Sequence, residues 1–204
     1  METKVKQPVK SNISKMAIIG VLSAIAYILM FMEFSVPLMP VFIKMDLSDF
    51  PALIGSLAVG PVGGVIIALI KNLLHLTVTS TGGVGELSNF ILNAVFVLPA
   101  GFLYKRKKSK KSACGGAILG AILMALFSVV SNYFVVYPVY YNFMPEDTIL
   151  AAYQAIFPGV KSILQSLIVF NMPFTFVKAM ISVVITFLVY HHLVPILTMN
   201  KRSE

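Results

Sequence analysis

From residue 16 to residue 32 the chain carries no charged side chain, and runs of the same kind recur at 50–70, 87–104 and 113–144. About 20 apolar residues suffice for a helix to cross a bilayer. In lipid every backbone N–H and C=O must be satisfied within the protein, which a helix achieves within a single segment. The pattern therefore predicts an all-α integral membrane protein. Charge agrees: 12% of residues are charged and 58% hydrophobic, against about a quarter charged in an ordinary soluble domain. A disordered chain and an ordinary soluble enzyme are excluded. There are 16 Lys and Arg against 8 Asp and Glu. Such an excess points to nucleic acid only when it lies on a water-facing surface, and the uncharged runs are too long for that, so no nucleic-acid partner is expected. The single cysteine, Cys114, excludes an internal disulfide and a cysteine-based metal cluster.

The basic residues orient the chain. Lys4, Lys6, Lys10 and Lys15 precede the first run, and Lys105, Arg106, Lys107, Lys108, Lys110 and Lys111 fall between two others. By the positive-inside rule both segments are cytoplasmic, so an even number of crossings separates them. Residues 16–32 and 87–104 supply two. If 50–78 were one span, the total would be odd. Gly60-Pro61-Val62-Gly63-Gly64 lies in its middle and has the composition of a tight turn. Dividing the stretch there gives 47–59 and 61–78 and restores parity. With 113–140 and 166–194 the expectation is six transmembrane helices in one membrane domain, both termini cytoplasmic. Residues 1–15 form a cytoplasmic N-terminal segment and 105–112 a basic cytoplasmic loop. Residues 34–49 and 141–165 are then outer segments. A signal peptide is not expected, since no small-residue cleavage site follows the first run. The two halves show no internal repeat.

Two lysines, Lys71 and Lys178, fall inside apolar spans. Each costs about 2.5–3.5 kcal/mol or more at a helix centre in lipid. They must face a cavity, snorkel to an interface, or pair with a buried acid. Lys71 and His75 share one helix face, and Asn171, Thr175 and Lys178 share another. Thr79 to Glu86 is a Gly-rich turn leading to Asn89 and Asn93, but no Gly-Lys-Ser/Thr follows, so it is no phosphate loop. Asn132 needs a polar partner, which favours a cavity over lipid. Tyr140 and Tyr141 fit an aromatic belt at the headgroups. Together these residues predict a pocket open to the outside, with Asp49, Glu86, Asn89 and Lys71 among its polar groups. Carboxamides, lysines, a glutamate and aromatic side chains suit a flat, largely apolar ligand with a hydrogen-bonding edge. Asp46 and Asp49 bracket the start of the second span and read as capping groups; no metal or resident cofactor is expected. His191 and His192 read as interfacial. Nothing in the sequence argues for catalysis. On the first span Ala17, Gly20 and Ala24 form a small-residue patch, where another helix can approach closely.

These motifs carry a resemblance over nearly the whole chain. Lys44-Met45-Asp46-Leu47-Ser48-Asp49-Phe50-Pro51, the Gly60-Pro61 turn with Lys71-Asn72 and His75, Thr81 to Phe90, and Asn171-x-Pro173-Phe174 with Lys178 resemble the membrane-embedded S components of energy-coupling-factor (ECF) vitamin importers. The similarity is greatest to the riboflavin-specific ones. It implies six helices and high-affinity capture of riboflavin from outside, in the cytoplasmic membrane of a bacterium. It also implies docking on an ECF module, made of a transmembrane coupling protein and two ATPase subunits, which fits the missing Walker motif. The resemblance places the flavin ring against Asn132, Thr175 and Lys178, with Asn171 in the same motif. Thr175 departs from the Asn expected in some relatives. It also implies docking through small residues four apart on the first helix, here Gly20 and Ala24 with Ala17 beside them. Asp49 or Glu86 can accept from tail hydroxyls. The residues leave open FMN or another small vitamin as ligand, and a partner-independent facilitator. A metal-dependent lipid enzyme using Asp46, Asp49 and His75 is the third class.

Overall fold

The computed structural model describes residues 8–79 and 81–189. Helix α1 is Pro8–Phe31. The segment after it makes a two-residue antiparallel ladder, β1 (Phe34–Ser35) with β2 (Lys44–Met45). Then come α2 (Asp49–Val59), α3 (Pro61–His75, extended by the 3-10 turn Leu76–Val78) and α4 (Val84–Arg106). Helix α5 is Lys110–Tyr140, α6 is Glu146–Gln154 and α7 is Ile163–Leu188. Among the described residues the fold is all-helical apart from the short ladder. Helices α1, α3, α4, α5 and α7 are long and apolar enough to cross a membrane, and α2 is a shorter apolar helix of 11 residues.

The break between α2 and α3 follows from two residues. Gly60 has φ 104°, a backbone region that side chains rarely enter. Pro61 starts α3 at a position whose N–H would have no helical partner anyway. The two helices fold back on each other, and nine of the eleven α2 residues are buried. Burial on nearly all sides explains how so short a helix stays among longer neighbours. Ser56 secures it by donating from Oγ to the Val97 carbonyl of α4 at 2.6 Å.

Helices α4 and α5 pack through small residues. Ala113, Gly116, Ala117, Gly120 and Ala121 form the buried α5 stripe, against Phe96 and Ala100 of α4. A Cβ at Gly120 would lie 2.1 Å from the Phe96 carbonyl oxygen. Gly120→Ala should therefore force the helices apart and cost about 1–3 kcal/mol, read as a lower melting temperature in detergent. Gly20→Ala should leave it unchanged, because nothing lies within 4 Å of that position.

The helices overrun the sequence expectations at several ends. Helix α1 begins at Pro8, inside the segment expected to be a polar N-terminus. The basic loop expected at 105–112 is reduced to residues 107–109, with Ser109 capping α5 through the Ser112 N–H. The expected outer segment 141–165 holds α6 and the first turn of α7. The tail lysines, Lys4 and Lys6, and His191 and His192 lie outside the described residues.

Candidate functional site

The end of the bundle opposite the basic loop encloses a cavity of about 640 Å³. That volume suits one drug-sized organic ligand. Its wall combines apolar groups such as Phe42, Leu92, Met124, Phe143 and Phe174 with Glu86, Asn89, Asn132, Asn171, Thr175 and Lys178. Six residues expected at the site are thus brought together from α4, α5 and α7.

Backbone irregularity places two of the carboxamides. Asn132–Val136 of α5 and Leu167–Asn171 of α7 are each one turn of π-helix. Pro138 and Pro173 follow them, and a proline in a helix removes a hydrogen bond and crowds the carbonyl four residues earlier. Pro173, which in the sequence reads as an interruption near the outer end of the last helix, does not end α7: the helix accommodates it by widening. π-Turns are frequent at functional sites, and here Asn132 starts one and Asn171 ends the other.

Beneath the cavity lie four charges of zero net sum. Lys178 Nζ donates to Asp46 Oδ2 at 2.7 Å and stands 3.6 Å from Asp49 Oδ2. Lys71 Nζ donates to Asp49 Oδ1 at 2.8 Å and to Ser48 Oγ at 2.5 Å. Asn93 Nδ2 donates to the same Asp49 oxygen at 2.5 Å. Lys71 and Asp49 are 0% exposed and do not line the cavity. The sequence expectation put both in the pocket wall; the structure puts them under it, joining α2 to α3. Asp46 and Lys178 do face the cavity. Asp46 does not cap α2: its Oδ1 accepts from the Ser48 N–H at 2.8 Å, and Ser48, at the N-cap, makes no side-chain cap bond. Burial alone would raise the Asp46 pKa, but the Lys178 and Lys71 charges outweigh it and hold it well below 3.8. A depressed carboxylate contributes stability above its ordinary pKa and loses it as pH falls through the folded value. The Asp46–Lys178 pair is therefore intact at neutral pH. Lys178 has three N–H donors, and Asp46 occupies one.

At the rim Glu86 Oε1 is 2.8 Å from His75 Nδ1, and Oε2 accepts from Thr79 and Thr81 at 2.9 and 3.1 Å. A carboxylate has about four lone-pair sites, so Oε1 retains room for one further donor. Asn89 Oδ1 accepts from Asn72 at 3.3 Å, and Asn132 Oδ1 from Ser88 at 3.3 Å. Both carboxamides thus have oxygens engaged and N–H groups to offer.

The cavity wall also holds Tyr137 and Tyr140, while Tyr153 lies beside it without lining it. Tyr140, expected in a headgroup belt, lines the cavity and stands 6.4 Å from the Phe42 ring. Tyr137 and Tyr153 are buried beside Asn171; Tyr153 donates to Asn171 Oδ1 at 2.6 Å and contacts the Tyr137 hydroxyl. Burial pushes the Tyr153 hydroxyl above its ordinary range, so it stays protonated. Asp46 carried a signal, being one of two acids beside a buried-lysine problem; Tyr153 carried none.

Ala17, Gly20 and Ala24 lie together on the exposed face of α1, away from the bundle. The window of α1 that is apolar enough to span is only 17% buried.

Residues 14–190 match the family model for the ECF transporter, substrate-specific component. The riboflavin transporter FmnP of Bacillus subtilis is 31% identical over 95% of this chain and 98% of its own. The riboflavin transporter RibU of Staphylococcus aureus is 41% identical over 60% of this chain and 65% of its own. RibU of Streptococcus thermophilus is 32% identical over 92% and 86%. A solved S component of a bacterial ECF transporter superposes with a TM-score of 0.71 at 33% identity, covering 90% of this chain and 96% of that one. A family match across most of the chain, a full-length relative and a shared fold agree: this chain belongs to the substrate-specific components of ECF transporters.

Proposed function

We propose that this chain captures riboflavin in the cavity between α4, α5 and α7, as the specificity subunit of an ATP-driven importer. The observation that carries the reading is the cavity wall itself. Apolar and aromatic surface there converges with the N–H donors of Asn132, Asn171 and Lys178, and the full-length relatives are named riboflavin transporters. Riboflavin is flat and uncharged, with a carbonyl- and imide-bearing edge and a polyhydroxy tail. Donors from α5 and α7 suit the ring edge, and Glu86 suits a tail hydroxyl. Asp49 and Lys71 hold the floor in place rather than touch the ligand.

In this reading α2 is the sixth crossing. Its 11 residues rise only about 17 Å at 1.5 Å per residue, and burial against α3 and α4 makes the short length tolerable. The cavity end faces outward and the basic 105–111 end faces the cytoplasm of a bacterial cell. The protein is a transport subunit rather than an enzyme, and separate ATPases of an ECF module would drive release. The exposed Ala17, Gly20 and Ala24 face of α1 is where the coupling protein docks.

The docking half is tested with Gly20→Leu combined with Ala24→Leu. Neither side chain would enter the bundle, so riboflavin binding in detergent should be unchanged. Uptake into cells should fall at least about tenfold, because bulk at a small-residue face prevents close helix approach. Undiminished uptake would favour a partner-independent facilitator.

A further inference from the structure

Tyr153 belongs to α6, outside the spanning helices, yet is 0% exposed. Its hydroxyl donates to Asn171 Oδ1 at 2.6 Å, and the Tyr137 hydroxyl meets it from α5. A phenol has one proton to give. Tyr153 gives its proton to Asn171, so toward Tyr137 it accepts. The donors therefore run in one direction, from Tyr137 to Tyr153 to Asn171. The triad also spans both irregular turns: Tyr137 follows the π-turn of α5, and Asn171 ends that of α7. A carboxamide has one oxygen and one NH₂ group. With the oxygen held by Tyr153, the N–H groups are what Asn171 offers to the cavity it lines.

We infer that Tyr153 is a positioning residue for ligand selection. It fixes the Asn171 carboxamide so that Asn171 donates to a carbonyl acceptor of the ligand and does not present its oxygen to a ligand N–H. The inference rests on the reading of this cavity as the riboflavin site. It gives the nine-residue helix α6, which forms no part of the cavity's ion pairs, a direct influence on what the cavity accepts.

The test is Tyr153→Phe, which removes one oxygen and keeps the ring. Riboflavin affinity should fall about three- to tenfold, the value of one hydrogen bond. The infrared carbonyl stretch of bound flavin should move to the position seen with Asn171→Ala. Combining the two substitutions should cost no more than Asn171→Ala alone. Losses that add, or a carbonyl stretch that stays in place, would make Tyr153 merely structural and overturn the inference. Should Tyr153→Phe fail to fold, Asn171→Asp decides: it keeps an acceptor for Tyr153 but has no N–H. It should fold and lose binding as Asn171→Ala does; retained affinity overturns the donor role. If the unsubstituted protein binds no riboflavin, the reading of the cavity falls and this inference falls with it. Binding that Tyr153→Phe leaves unchanged overturns the inference alone.

Discussion

Lys178→Met should lower riboflavin affinity about ten- to a hundredfold, the value of a charged hydrogen bond. It should also destabilise the protein. Lys178 faces the cavity with donors beyond the one that Asp46 takes. Removing it leaves the Asp46 carboxylate buried, with Ser48 as its remaining hydrogen-bond partner and only the more distant Lys71 charge. Breaking one side of a buried ion pair costs about 3–5 kcal/mol. The two consequences separate in a second variant, Lys178→Met with Asp46→Asn. Neutralising the orphaned acid should recover most of the melting temperature and none of the binding. If binding returned with stability, Lys178 would be holding the site in shape rather than touching the ligand. Isothermal titration and thermal unfolding of both variants check this.

Lys71→Met should act on folding alone and not on recognition. Lys71 is 0% exposed and is not in the cavity wall. Its loss would leave Asp49 with the Asn93 amide and a Lys178 ammonium 3.6 Å away, too far for a hydrogen bond. About 3–5 kcal/mol is again at stake, a large part of the stability of a protein this size. The expected result is a sharp fall in yield and melting temperature. Any folded fraction should bind riboflavin close to normally, and adding Asp49→Asn should rescue the yield. A well-folded Lys71→Met protein that has lost riboflavin would move Lys71 into the site.

The sequence was most legible where physics acts locally. Uncharged runs mark the long helices, and Gly60-Pro61 marks the break between α2 and α3. Glu86, Asn89, Asn132, Asn171, Thr175 and Lys178 were expected together because polar groups in apolar helices need a shared cavity, and they line one. Pairing across the chain was not legible. Lys178 and Asp46 are 132 residues apart, and Lys71 and Asp49 are 22 apart. Cost alone says that each lysine needs a partner or a cavity, but only the packing of α2, α3 and α7 says which acid. That is why Asp49 and Lys71 were expected in the wall and are found under it. Tyr140 shows the same limit. A tyrosine at a helix end fits a headgroup belt equally well until α6 and residues 32–48 are seen to fold over that end. Pro138 and Pro173 stand just beyond the π-turns of α5 and α7, but a proline by itself does not say that the helix widens and carries on.

The most direct test of the account is a titration of riboflavin with the detergent-purified protein, followed by quenching of flavin fluorescence. Saturable quenching at one riboflavin per chain is expected, unchanged in the Gly20→Leu, Ala24→Leu variant and shifted to about ten- to a hundredfold higher riboflavin concentration in the Lys178→Met, Asp46→Asn variant. Folded protein that leaves the fluorescence of riboflavin unchanged would contradict it.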